Sequence, residues 1–242
     1  MERCVYWMLW AVISVASTLA SAVELTQVRI AAESWPQHTD ADGGGLAWDI
    51  LRAVYEPAGV ELQIHSVPYT RSIGLVQRGV ADAWVGAYLN EIADRVIYPR
   101  WHYDADKIVA LGLASTPAPT LESIGSFRLA WVHGYEYQRY LPNLHQYREV
   151  LRRSGILGML DQGRTDFYLD AQDEITFILR DARVPSRYRV SPLIDLPLYL
   201  GFGDNPRGRA LAELFDKRMD EMVADGRLRP IFMRWKQPYP FD

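Results

Sequence analysis

Cysteine is almost missing from this sequence. Its 242 residues contain one, Cys4. Cys4 precedes an apolar run at 5–16, and Ala20-Ser21-Ala22 beyond that run has the A-x-A form of a signal-peptidase site. Residues 1–22 are therefore expected to be a secretory signal peptide that is removed on export. Its removal excludes disulfides, cysteine–zinc sites and a cysteine nucleophile from the mature chain. Because Cys4 lies ahead of the apolar run and not at the cleavage point, it is no lipid attachment site. Long apolar runs are lacking as well: 5–16 falls short of the ~20 residues a spanning helix needs. Charge of one sign is scarce. The formal net charge is −4 and no basic stripe is present, which argues against nucleic acid as a partner. What is there, 49% apolar and 23% charged residues, suits a folded globular chain of one large domain or two small lobes.

The pattern of elements is α/β. Residues 28–32 and 61–67 are expected strands, and 46–58 and 68–79 are expected helices ended by Gly59 and Gly79. The most informative stretch is 79–113. Gly79 ends a helix, 83–87 is an apolar run suited to a strand covered on both faces, and 90–95 is expected to be a loop and first helical turn. In open α/β sheets ligands bind beyond the carboxyl ends of strands. Arg95 stands at such a place, where its planar fork would hold a carboxylate; the alternative is an ion pair with Asp94. Arg71 also follows a strand and faces the same choice between a cleft and solvent.

A second half follows a Pro-rich crossing at 115–119. Residues 127–132, 146–150 and 167–169 are expected strands, with helices at 151–162 and 174–180. Gly163-Arg164-Thr165-Asp166 repeats the device of Gly79-Val80-Ala81-Asp82: a helix, a glycine, an aspartate, then a strand. Two copies imply two lobes of similar design. Residues 194–202 return, and 205–235 carries a helical stripe of Leu211, Leu214, Phe215, Met219, Met222 and Val223 that is core.

The order G-x-A-D-A, strand, D-R, Pro-aromatic segment, apolar strand resembles the periplasmic solute-binding proteins of family 3, which serve polar amino acid ABC transporters. The ending LYLGFGDNPRGRALAELFDKRMDEMVADGRLRPIFMRW follows the same family, so the resemblance spans nearly the whole mature chain. It implies a two-lobe periplasmic-binding-protein type II fold, with a ligand cleft between the lobes and two hinge crossings. Lobe one would be 23–112 plus 198–242, and lobe two 113–197. The resemblance also implies roles. Trp35, after the first strand, would stack on the ligand, or else pack on its own lobe. Gly134 and Tyr135, at the glycine turn before a helix to Leu141, would present backbone N–H groups to the ligand's anion. Asp170 or Asp173 would bind the ligand's amino group, unless both cap the following helix. The family's T-x-x-R is not intact here: Asn90-Glu91-Ile92-Ala93-Asp94-Arg95 has no Thr, leaving Tyr88 and Asn90 to supply other hydrogen bonds.

The expected function is capture of a small polar solute, an amino acid or related carboxylate, by lobe closure, and delivery to an ABC transporter permease. The protein is expected to be periplasmic and monomeric, without metal or cofactor, and not an enzyme. Two alternatives share the scaffold. One is a ligand-sensing subunit for a signalling partner. The other is a lyase like the cyclohexadienyl dehydratases, with His133, Glu33 or Asp170 as its acid or base.

Overall fold

A computed structural model describes residues 25–241. The expected signal peptide at 1–22 lies outside the described residues. In chain order the elements are β1 (Gln27–Ala32), α1 (Leu46–Tyr55), β2 (Glu61–Ser66), α2 (Tyr69–Gln77), β3 (Ala83–Ala87), β4 (Val96–Ile97) and β5 (Asp104–Leu113). They continue with β6 (Leu129–Val132), β7 (Tyr147–Val150), α3 (Ile156–Asp161), β8 (Phe167–Ala171), α4 (Gln172–Arg180), β9 (Tyr188–Gly203), α5 (Pro206–Ala224) and α6 (Arg229–Trp235).

The sheet order is β2-β1-β3-β9-β5-β8-β6-β7, with β4 also on β9. In one half β1 pairs in parallel with β2 and β3; in the other β6 pairs in parallel with β7 and β8. The two long strands join the halves. β5 and β9 run antiparallel from Asp104 opposite Leu198 to Leu113 opposite Tyr188, with a register shift between Ile108 and Val109. The chain thus crosses between halves twice.

Strand β3 is buried along nearly its whole length, because helices cover both faces of its sheet. α1 presents Trp48, Leu51 and Tyr55 to one face, together with Phe215 of α5 and Phe232 of α6. α2 covers the other face with Ile73 and Val76 against Trp84. Gly201 in β9 is required by close approach: a Cβ there would lie 2.0 Å from the Trp84 ring. The second half has its own outer layer, Ile156, Leu160 and Ile175 over Val109, Leu111 and Tyr168. α5 starts on Asn205, whose side chain accepts a hydrogen bond from the Gly208 N–H at 2.9 Å, with Pro206 in the first turn. Asp49 accepts from Trp235 Nε1 at 2.9 Å and ties α6 to α1.

Several sequence expectations need correction. Residues 90–95 form no helical turn; Asn90 and Arg95 both take left-handed φ (61° and 59°), which breaks helical continuity. After Gly134 there is only a three-residue 3-10 turn, Tyr137–Arg139, and no helix. The helix expected at 151–162 begins only at Ile156, because Gly155 is left-handed at φ 92°. α4 begins two residues early, at Gln172, and neither Asp170 nor Asp173 caps it: the capping position is Ala171, with no side-chain bond.

Candidate functional site

The halves meet over a cavity at the carboxyl ends of the strands, where open α/β sheets collect ligands. β1 leads to Glu33 and Trp35, α2 supplies Tyr69, β3 ends near Gly86 and Tyr88, and β5 supplies Asp106. From the second half come Tyr135, after β6, Arg153, between β7 and α3, and Asp170 and Glu174 at the β8–α4 junction. The cleft is drawn shut. Arg139 donates to the Glu91 carbonyl oxygen at 2.9 Å, and the Tyr69 and Tyr135 rings lie 5.6 Å apart edge to face. Tyr88 meets Tyr140 at 5.0 Å. The free space left between these walls is small, ≈ 50 Å³ open to the centre of a water-sized sphere, and parting the halves would enlarge it.

Four carboxyl groups and one guanidinium line this space. Arg153 donates from Nε to Asp170 at 2.9 Å and from Nη2 to the Tyr135 hydroxyl at 2.6 Å. Its Nε is also 3.2 Å from Glu174, and Nη1 is 3.8 Å from Glu33 on the opposite half. Burial opposes its charge, but Asp170, Tyr135 and Glu174 outweigh that and raise its pKa. Asp170 is 1% exposed, and Tyr168 and the Ala171 N–H also donate to it. Burial raises Glu174 to about 7 and raises Glu33, with Arg153 opposing both shifts. Asp106 accepts from the Tyr88 hydroxyl at 2.9 Å, and burial pushes its pKa well up. Glu91 lies just behind the wall, with both carboxyl oxygens 2.7 Å from the Tyr69 hydroxyl, and burial raises it to about 7.

Trp35 leans on His38, ring centroids 3.9 Å apart, and His38 approaches the Tyr103 hydroxyl at 3.3 Å. Burial lowers the His38 pKa to about 3, so its 3.7 Å approach to Asp104 involves a neutral imidazole and no ion pair. The Trp35 Nε1–H is buried without a hydrogen-bond partner among the described residues.

Of the expected site residues, Trp35, Tyr88, Tyr135 and Asp170 line the cleft together. Asp173 does not. It lines a larger neighbouring cavity of ≈ 470 Å³ and accepts from Gln237 at 2.8 Å. Arg95 stands outside the cleft, its side chain 72% exposed and 3.8 Å from Asp94, because the left-handed turns at 90 and 95 carry it onto the surface. Arg71 and Asn90 are exposed and do not line the cavity either. Gly134 lies at the seam between the halves, where a Cβ would be 2.7 Å from Thr70, but its N–H points toward Glu149 at 3.5 Å. His133, at 2.6 Å from Glu149, is on the surface. Sequence reasoning missed Arg153, Asp106 and Glu174. Arg153 satisfies the rule applied to Arg71 and Arg95, an arginine just past a strand, but its place within an expected helix concealed it. Among the described residues no group of three or more His, Cys, Asp or Glu side chains is placed to hold a metal, and no helix is long and apolar enough to cross a membrane.

No protein-family profile and no curated protein matches the sequence. Solved structures do match. One is the substrate-binding protein of an amino acid ABC transporter, with TM-score 0.64, 16% identity, and 86% of this chain and 98% of that one covered. Another is a histidine kinase sensor domain with similarity to periplasmic binding proteins, with TM-score 0.66, 14% identity, and 86% and 95% covered. A third is an ancestral amino acid-binding protein described as a precursor of cyclohexadienyl dehydratase, with TM-score 0.65, 16% identity, and 87% and 95% covered. At these identities the likeness carries the fold. This chain has the two-lobe periplasmic-binding-protein fold of type II, with its cleft between the lobes and two hinge crossings.

Proposed function

We propose that this chain is a secreted, periplasmic solute receptor that closes its lobes on a small amine-bearing solute, an amino acid or a close relative, and presents it to an ABC transporter permease. Residues 23–112 with 198–242 form one lobe in this reading, and 113–197 the other. One observation carries it: four carboxyl groups from both halves surround the shut cleft against a single guanidinium, between aromatic walls. A surplus of acid favours a ligand with an ammonium or guanidinium group, and Trp35 and Tyr135 supply faces for a cation or a ring. The amine end of the solute is thus the anchored end. The carboxylate fork expected from Arg95 has no counterpart on the cleft wall other than Arg153. Closure by hinge motion is the established mode for such two-lobe receptors.

The test is thermal melting of the purified protein against a panel of amino acids, amines and organic acids, with small-angle scattering on any hit. A ligand at about a hundred times its dissociation constant adds about 2.7 kcal/mol of stability. A cationic or zwitterionic hit that also compacts the protein is expected. A panel without a hit, or hits confined to anions, rejects the reading.

A second reading has one specific observation behind it. Glu174, raised to about 7 inside the cleft, is poised to give or take a proton at neutral pH, as an elimination catalyst of the dehydratase kind requires. Turnover of prephenate or arogenate, lost in Glu174→Gln, separates a lyase from a receptor. A signalling partner in place of a permease would leave the cleft chemistry unchanged and is distinguished by neighbouring genes.

A further inference from the structure

Arg153 belongs to the link 151–155 between β7 and α3, and reaches into the cleft from its own half. Its surroundings are those of a bound guanidinium ligand. A carboxylate meets Nε at 2.9 Å, a second lies at 3.2 Å, a phenol hydroxyl takes Nη2 at 2.6 Å, and a third carboxylate on the facing lobe stands 3.8 Å from Nη1. The Tyr135 ring lies 5.8 Å from the guanidinium carbon. Planar forks met by carboxylates and other oxygen acceptors are how guanidinium groups are recognised. The group filling this subsite is the chain's own.

A second cavity lies on the outer side of the same side chain. This groove of ≈ 450 Å³ runs between the link and α4, and is lined by Ser154, Gly155, Phe177 and Asp181 among others. Arg153 and Glu174 line both the groove and the shut cleft, so they form the partition between them. The groove offers Arg153 a destination with a carboxylate of its own, Asp181.

We propose that Arg153 is a built-in competitor and gate. Its guanidinium occupies a guanidinium subsite formed by Asp170, Glu174, Glu33 and Tyr135, and swings into the outer groove when a solute's cation takes its place. The subsite selects guanidinium over simple ammonium, because only the planar fork meets these partners together. Apparent affinity is reduced by the fraction of molecules in which Arg153 holds the subsite, so removing the side chain unmasks it. The inference rests on the cleft being the solute site.

The experiment is thermal melting of the full chain with methylguanidinium, with methylammonium and sodium chloride at equal concentration as controls. The proteins are wild type, Arg153→Ala, and Arg153→Ala combined with Glu174→Gln; the last relieves one unpaired carboxylate but keeps Asp170 and Tyr135. The expected result is a methylguanidinium-specific rise in Tm in the variants, about 5–10 °C at a hundredfold excess over its dissociation constant, with wild type unmoved. The rise is smaller in the double variant, which has one fewer acceptor. No specific rise in either variant overturns the proposal, as does an equal rise in wild type. Variants that neither fold alone nor are restored by the probe count against it in the same way. The wild-type solute panel reports separately on the receptor reading. A panel ligand without a probe response in the variants removes the gate alone, and the reverse removes the receptor alone.

Discussion

The two lobes carry the same turn and put it to different uses. In the first, Arg29 donates from its backbone N–H, Nε and Nη2 to Asp82, and from Nη2 also to the Gly79 carbonyl. In the second, Arg128 donates from the same three groups to Asp166, and from Nη1 to the Gly163 carbonyl. Gly79 and Gly163 both take left-handed φ (71° and 61°), as a turn from helix into strand requires. The difference lies in what is built on top. Asp82 is 4% exposed and also receives Arg207 of α5, which reaches the Gln27 carbonyl as well. Among the described residues, the Asp166 carboxylate keeps Arg128 alone, itself half exposed. A repeated local device becomes a core fastener where a third segment covers it, and stays a surface clasp where none does.

The largest effect is expected from removing the covered copy. Asp82→Ala strands two arginines and the Arg29 N–H, and should cost about 3 kcal/mol or more in urea unfolding, while Asp166→Ala costs clearly less. Equal losses would erase the distinction between the copies. The acid limb of stability reads out the same contrast. Burial works to raise the Asp82 pKa, but hydrogen bonds from Arg29 and Arg207 outweigh it and hold it below 3.8. A depressed folded pKa contributes stability that is present above the unfolded value and is lost as pH falls through the folded one.

Buried acids in and around the cleft act in the opposite direction. Burial raises Glu91 and Glu174 from 4.5, and Asp104 from 3.8, each to about 7. Their folded pKa exceeds the unfolded one, so their contribution is complete below about pH 4 and is lost as pH rises through about 7. Stability should fall between about pH 4 and 7, by on the order of 3 kcal/mol for Glu91. Glu91→Gln should flatten that slope on the first lobe's side of the cleft and Glu174→Gln on the second's; urea midpoints across pH measure both. Next in size, Tyr88→Phe removes the donor to buried Asp106 and should cost about 1–2 kcal/mol. The smallest effect is expected at Arg95. Arg95→Ala should stay within about 0.5 kcal/mol of wild type and leave any panel ligand's affinity unchanged. A tenfold loss of affinity would bring Arg95 back to the solute.

Most of the fold could be read from periodicity and punctuation. The run Ala83–Ala87 is a buried strand with the bounds its apolar continuity implies, and the stripe of α5 is core through Leu211, Phe215, Met219 and Met222. The site was legible at strand ends: Tyr88 follows β3 directly, Trp35 comes three residues after β1, and Asp170 is the second-last residue of β8. It was not where the backbone departs from periodic conformations. Asn90 is a residue type that tolerates a left-handed turn, but nothing in Arg95 announces one, and both carry their side chains away from the strand end. Gly155 was the one signal that could have exposed Arg153, since a glycine just before an apolar helical run can start the helix there and leave the residues ahead of it in a loop.

The clasp between Asp82 and Arg207 spans 125 residues, and Tyr55 reaches the Leu211 carbonyl across 156. During synthesis, β1, β2 and β3 leave the ribosome long before β9 and α5 exist to complete their sheet, while β6, β7 and β8 emerge as one uninterrupted block. The second half can mature first, and the first must wait with an open sheet edge at β3, where β9 will later pair. The last segment of such a chain closes the structure that its first began.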